Sequence, residues 1–405
     1  MTRCRVCSKG RIAIALDFGP QPVSNRFLKT RDEKEDLFEL SQGICDSCGV
    51  VQLLNGPSSK ETTPRFEWLT QNEPEGHLDR VVEIIGTLPG VTAASTICGI
   101  SFKDDSTLRR INDRGYPKTW RLSLLQDFKV TEPFAGIETI QSILTEEAAK
   151  KITAKTGRFD VLIVRHILEH AENIAGFFAA LKALVSDDGH IVFEVPDEER
   201  GLALGDYSLV WEEHMVYFTP DTLRGALVAW GFEVEVFHSF PYAHENSLIA
   251  IVRKGKAGVS AVSIRKETDR FAAYANSFED RRKAIQIFLA KAAREKGGVA
   301  MRGAGHLTSA FINLHGLRSM VHFVVDDNPN KQGLLMPGSK VPIVSFDALK
   351  AKKVGLCLLG INPENEEKVL AKNRAFVDEG GTFRSIFPES RIALEPLGSH
   401  ENKTR

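Results

Sequence analysis

Two cysteine pairs of identical spacing, Cys4 with Cys7 in CRVC and Cys45 with Cys48 in CDSC, constrain this chain more than any other feature. Each CxxC turn aims two sulfurs at one point, so two turns supply four thiolates for one tetrahedron. Zn2+ suits a soft, closed, redox-inert site of that kind. With no further ligand nearby, the ion is expected to serve folding. Six cysteines in 405 residues do not make a disulfide framework. Cys98 and Cys357 lie in apolar runs and fit the core.

Around the cysteines, residues 1–72 alternate short β-like runs (RIAIAL, FELSQGI, VVQLL) with Gly, Pro and Asn turns. That pattern describes a β module too small to stand without its metal. From 73 to 255 strands such as STICGI, FDVLIV and HIVFEVP alternate with amphipathic helices. Residues 256–297 are polar with helical period and are expected to form connecting helices. A second α/β unit runs from 298 to 390 through GVAM, MVHFVVDDN and VGLCLLGIN, and 391–405 is expected to be a disordered tail. The fold class is therefore α/β, a small zinc-binding β module followed by two doubly wound Rossmann-like domains joined by helices.

A formal net charge of −1 gives no field that favours nucleic acid or an anionic membrane. No apolar run reaches signal or transmembrane length, which points to a cytoplasmic protein, monomer or homodimer.

Polar residues stand where doubly wound sheets hold ligands, at the carboxyl ends of strands. RHILEH follows FDVLIV, and on a helix His166 and His170 would share a face beside Glu169. VWEEHMVYFTP sets Glu212, Glu213, His214 and Tyr217 between Trp211 and Phe218, a setting for shifted pKa values and proton transfer. FPYAHENS places His244, Glu245, Asn246 and Ser247 before a strand. In RGAGHLTS, Gly303 and Gly305 allow a tight turn whose N–H groups can face a diphosphate, and Asp326 and Asp327 lie about 20 residues on, where a ribose ligand is usual.

The doubled CxxC, HILEH followed by EEHMVYFT, and DDNPNKQGLLMPGSKVPI together closely resemble the three-domain sugar C-methyltransferase family, which acts on nucleotide-linked 4-keto-deoxysugars. The likeness covers nearly the whole chain. It implies a zinc domain on Cys4, Cys7, Cys45 and Cys48, a middle S-adenosylmethionine domain and a C-terminal Rossmann-like domain that helps hold the sugar nucleotide. By this resemblance His214 is the base, Glu213 orients it, His170 stabilises an enolate, and Tyr217 completes the catalytic group. It places the cofactor on Gly99, Ser101, Lys103, Asp105, Asp127 and His166. The substrate falls to His244, Asn246, Ser247, Gly303, Gly305, His306, Asp327, Asn328 and Lys331.

The chain departs from the family in several segments. The methyl-donor turn, EIGxNDG in the family, reads CGISFKDDS; the next strand reads TWRLSLLQDF, with Asp127 late; the HGGS loop is HENS. Three other readings stay open: proton chemistry without a methyl donor in an epimerase, isomerase or dehydratase; an NAD-dependent oxidoreductase using the GAG turn; and a silent sugar-nucleotide-binding subunit.

Overall fold

The computed structural model describes residues 3–69, 73–259, 262–351 and 354–397. Two compact units emerge, one of residues 1–15, 42–199 and 213–269, the other of residues 16–41, 200–212 and 270–405. These units cut across the expected domain boundaries. Residues 16–41 cluster with the C-terminal sheet because Leu28 bridges Leu335 and the Glu35 carboxylate accepts from the Gly338 N–H at 2.7 Å.

The β-like runs of the N-terminus form β1 (Ile12–Pro22), β2 (Leu37–Cys45) and β3 (Val51–Asn55). The first unit then builds a six-stranded sheet from β4 (Ile97–Gly99), β5 (Thr119–Arg121), β6 (Phe159–Arg165), β7 (Val185–Asp197), β9 (Phe232–Phe240) and β10 (Asn246–Lys254). Between β7 and β9 the two-residue β8 (Val216–Tyr217) leaves this sheet and pairs antiparallel with β3. The large sheet has the order β5-β4-β6-β7-β10-β9; β4, β5, β6 and β7 run parallel, and β10 is antiparallel to both neighbours. Strands covered on both faces read as unbroken apolar runs, and Leu162, Ile163 and Phe193 have no exposed surface. Phe178, on the helix Ile174–Leu184, packs its ring against Phe193, Phe232 and Trp230. Truncating such an anchor costs about 3–5 kcal/mol.

The second unit contains β11 (Val299–Arg302), β12 (Val321–Val325), β13 (Ile343–Val344), β14 (Leu356–Leu359) and β15 (Thr382–Ser385), all parallel in the order β13-β12-β11-β14-β15. Counted from β11 this is the 3-2-1-4-5 order of a Rossmann sheet, whose ligand crevice opens where the winding reverses. In the first unit the winding reverses between β4 and β6.

Three expectations give way. Residues 256–297 hold one 33-residue helix, Ile264–Lys296, rather than several. RHILEH is not helical: the helix starts at Ile174, where the Asn173 side chain accepts from the Gly176 N–H, and the eight residues before it form turns. Of the expected tail, 398–405 lies outside the described residues, whereas Leu394 is fully buried and Ala393 bridges Ser385. Among the described residues no helix is long and apolar enough to cross a membrane.

Candidate active site and metal centre

The four cysteines converge. Cys4 Sγ lies 3.6 Å from Cys48 Sγ, and Cys7 Sγ 3.7 Å from Cys45 Sγ. A tetrahedron with Zn–S bonds of ~2.3 Å has edges of ~3.8 Å, so the sulfurs already stand at the spacing zinc requires. Backbone N–H groups of Val6, Gly10 and Ser47 point at these sulfurs at 3.3–3.4 Å and offset thiolate charge. A Cβ at Gly10 would sit 2.3 Å from Cys45 Sγ, so glycine is required there. The residues fit the ion. Replacing Cys45 with serine is expected to drop bound zinc, read by elemental analysis, from one ion per chain to none. The thermal midpoint should fall as well, because structural zinc contributes on the order of 10 kcal/mol.

The zinc module also braces the second cluster. The Leu53 N–H donates to Met215 O at 3.1 Å, just after His214, while the Met215 and Val216 N–H groups both donate to Glu169 O, at 2.7 and 3.2 Å. The loop after β6 and the segment carrying His214 are thus stitched together by backbone. His170, His214, Glu169 and Glu213 are all buried there, as is Tyr217, whose ring centroid lies 6.2 Å from that of His214. The rings of His170 and His214 meet edge to face, 4.7 Å between centroids. Polar atoms of Glu169, His170 and His214 lie within 4.8 Å of one another, as do those of Glu138, His170 and Glu213.

Glu138 is the residue that sequence reasoning missed. It sits in the first turn of the helix Ile137–Ile143 and accepts from His170 Nδ1 at 2.5 Å. Gln141, one turn on, takes the Glu172 N–H at 3.0 Å and fixes that helix against the loop. Burial alone would lower the His170 pKa. The Glu138 charge and hydrogen bond, then Glu169 and Glu213, outweigh it and raise the value to about 9. A protonated imidazole beside these carboxylates can donate a hydrogen bond to a developing oxyanion.

Beside it lies a second buried network, centred on Glu194. Arg165, the last residue of β6, is the register partner of Glu194 on β7, and its guanidinium grips the Glu194 carboxylate. Glu194 also meets His166 Nε2 at 3.1 Å, His77 Nε2 at 3.0 Å and the Ser247 hydroxyl at 3.0 Å. Burial would raise the Glu194 pKa, but Arg165, His166 and His77 hold it well below the carboxylate range. His166 adopts φ 46°, a left-handed conformation rare outside glycine, and its N–H donates to Glu194 O. Burial opposes its charge, yet Glu73, Glu194 and Glu169 raise its pKa to about 10.

The CGISFKDDS turn joins this network. The Asp104 carboxylate accepts from the N–H groups of Ile100 (2.7 Å), Ser101 (2.8 Å) and Arg165 (3.0 Å). Burial pushes its pKa up to about 7 despite these bonds and the Arg165 charge. A Cβ at Gly99 would stand 2.7 Å from Asp104 Cβ, so the one retained glycine serves the turn itself. Backbone donors that a glycine-rich turn offers a ligand are here consumed by an aspartate. Side chains remain: Lys103 Nζ, 2.6 Å from Glu73, and Asp105, 2.9 Å from Arg121 at the end of β5. An ammonium paired with a carboxylate suits the zwitterionic end of an amino-acid-like cofactor. Asp127 lies instead on the helix Leu124–Phe128 and accepts the Ser123 N–H.

Of the HENS residues, Asn246 bonds Asp197 at 3.3 Å and Ser247 belongs to the Glu194 network.

In the second unit Gly303 (φ 94°) and Gly305 form the turn between β11 and the helix His306–Leu314. A Cβ at Gly303 would strike Gly360 O, after β14, at 2.9 Å, so both crevice loops approach through glycine. Trp211 stacks flat on the His306 imidazole, 3.5 Å between centroids. Glu212, 3.4 Å from His306 Nδ1, takes the Ser24 N–H at 2.5 Å. Asp326 accepts from Ala304 N and Asn328 N, and Asp327 pairs with Arg302 at 2.7 Å. Asp326 is thus turned inward to the loop, whereas about half of the Asp327 side chain stays exposed. Lys331 Nζ donates to Ala304 O at 2.7 Å, and Asn328 Oδ1 caps the Asn330 N–H.

Comparison with known proteins matches three segments of the chain. Residues 4–62 match a family model of a zinc binding domain, 95–236 one of a methyltransferase domain, and 260–388 one of a C-methyltransferase C-terminal domain. The chain is 22% identical over 406 residues to C-methyltransferase NovU of Streptomyces niveus, covering 96% of each. Among solved structures it resembles a Burkholderia thailandensis 1,6-didemethyltoxoflavin-N1-methyltransferase (14% identity, TM-score 0.31, 45% of this chain and 80% of that one). A methyltransferase of Anabaena variabilis is similar at 13% identity and TM-score 0.31, over 43% of this chain and 83% of that one. In succession, therefore, the chain carries a zinc-binding domain, a methyltransferase domain and a C-methyltransferase C-terminal domain, and is a homologue of a C-methyltransferase along nearly its whole length.

Proposed function

We propose that this enzyme is a C-methyltransferase acting on a nucleotide-linked 4-keto-deoxysugar. The carrying observation is the buried pair of edge-to-face imidazoles, His170 and His214, ringed by Glu138, Glu169 and Glu213 beside the crevice of a methyltransferase-type sheet. A 4-keto group acidifies the proton on C3. His214 removes that proton, with Glu213 orienting the ring, and His170, carrying its own proton, donates a hydrogen bond to the enolate oxygen. S-adenosylmethionine, when bound, supplies an electrophilic methyl group for that carbon. Lys103 and Glu73 are the groups that would meet its carboxylate and ammonium, and Asp105 its ribose. The donors of the Gly303–Gly305 turn are bonded internally, so the diphosphate is assigned to Lys331 and to the start of the helix His306–Leu314.

A second reading is favoured by the Asp104 observation. With the turn donors of Ile100 and Ser101 already bonded, the same proton chemistry could serve an epimerase, isomerase or dehydratase without a methyl donor. Incubation with dTDP-4-keto-6-deoxyglucose and S-adenosylmethionine separates them by product mass. A gain of one methyl group in place of hydrogen supports methyl transfer. An altered product of unchanged mass, or one lacking water, together with no calorimetric binding of the donor, rejects methyl transfer for the second reading.

A further inference from the structure

We propose that Glu138 is the positioning residue that decides which of the two active-site histidines is acid and which is base. This inference rests on the proton-transfer reading of the His170–His214 cluster. Glu138 bonds His170 Nδ1 at 2.5 Å inside a buried pocket, so the imidazole proton on that nitrogen is fixed and the ring is held as an imidazolium. The His214 ring lies 4.7 Å away, and two imidazolium ions at that separation, away from water, repel strongly. Charging His170 therefore disfavours a second charge on His214, the ring assigned to take the substrate proton. The division of labour between two chemically identical side chains comes from a third residue 32 positions before His170.

The groups that face His170 are Glu138 from the helix Ile137–Ile143, Glu169 from its own loop, and Glu213 and His214 from the segment before β8. Glu169 and Glu213 also favour the charged ring. Glu138 bonds the ring and comes from an element that carries none of the other groups.

The test is an imidazole titration by NMR on the full-length zinc-loaded protein labelled at histidine Cε1, with the His170 signal assigned by its loss in His170→Gln. In the parent, His170 is expected to titrate near 9. In Glu138→Gln it should fall by at least about one unit, as expected for loss of an adjacent opposite charge. Glu138→Asp, which keeps the charge, should recover part of the shift, and thermal melts establish that each variant is folded. An unchanged His170 titration in folded Glu138→Gln would overturn the proposal.

Activity gives an independent readout. With dTDP-4-keto-6-deoxyglucose in D2O, the basic limb of the kcat/KM profile for C3 exchange should move to lower pH in Glu138→Gln, because the acid form of His170 is lost sooner. KM should stay within about threefold and kcat fall roughly 10- to 100-fold. A fall in activity with both limbs in place would mark Glu138 as merely structural. If the parent catalyses no exchange, the substrate assignment fails, while the NMR titration still decides the role of Glu138.

Discussion

Alanine in place of His214 is expected to lower the rate of C3 proton exchange by about 10²- to 10⁴-fold, the usual worth of a positioned general base. His214 is buried, and the backbone that follows it is bonded to Glu169 O and to β3. Losing the imidazole should therefore leave the stitch between the two loops intact, and zinc content unchanged. A glutamine at the same position keeps volume and polarity without basicity and should be almost as inactive. Retention of more than a tenth of parental exchange in His214→Ala would move the base elsewhere, with Glu213 the next candidate at the same cluster.

The second large effect is on stability. Glu194→Ala is expected to destabilise the first unit by about 3–5 kcal/mol, the cost of leaving a buried charge without its partner. Arg165 would keep the Lys103 carbonyl as acceptor, but no carboxylate among its bonded partners. His166 and His77 would lose the same anchor. The Cys4–Cys7–Cys45–Cys48 centre does not touch this network, so zinc should remain bound while the thermal midpoint falls by several degrees. A midpoint within one degree of the parent would show that the network is slack. Replacing Glu194 by Gln, which keeps hydrogen-bonding atoms but not charge, should fall between the two.

The His166 and His170 charges carry a pH signature. Both folded values, about 10 and about 9, lie above the ordinary value of 6.5. Their contribution to stability is fully present below pH 6.5 and is lost as pH rises through 9 to 10. The same sign holds for Asp104, raised from 3.8 to about 7, whose contribution is lost earlier, as pH rises through 7.

Much of this architecture was legible in the sequence because it is written in short periods. The CxxC spacing needs only two turns to be recognised, and their sulfurs stand at tetrahedral spacing. Apolar runs such as FDVLIV and HIVFEVP are strands because both faces of a parallel sheet are covered. What the sequence hid depends on tertiary placement. HILEH has helical spacing, but His166 turns left-handed at the end of β6 and the cap at Asn173 delays the helix. Arg165 and Glu194 could have been noticed as charges inside otherwise apolar strands, where only an ion pair makes burial tolerable. Glu138 offered no such signal, since a glutamate in the first turn of IETIQSI looks like ordinary helix-dipole compensation. Its role comes only from the helix docking against the loop that carries His170.

The TICGISFKDDSTLRR segment illustrates the same limit. Its single useful glycine suggests a degraded ligand turn, and the structure gives the physical reason: Asp104 has folded back to satisfy the donors that the turn would otherwise present.

The most direct measurement of the central claim is proton NMR of dTDP-4-keto-6-deoxyglucose incubated with the zinc-loaded enzyme in D2O. The C3 proton signal is expected to disappear at a catalytic rate in the parent and to persist in His214→Ala. Persistence of that signal in the parent at saturating substrate, with and without S-adenosylmethionine, would contradict it.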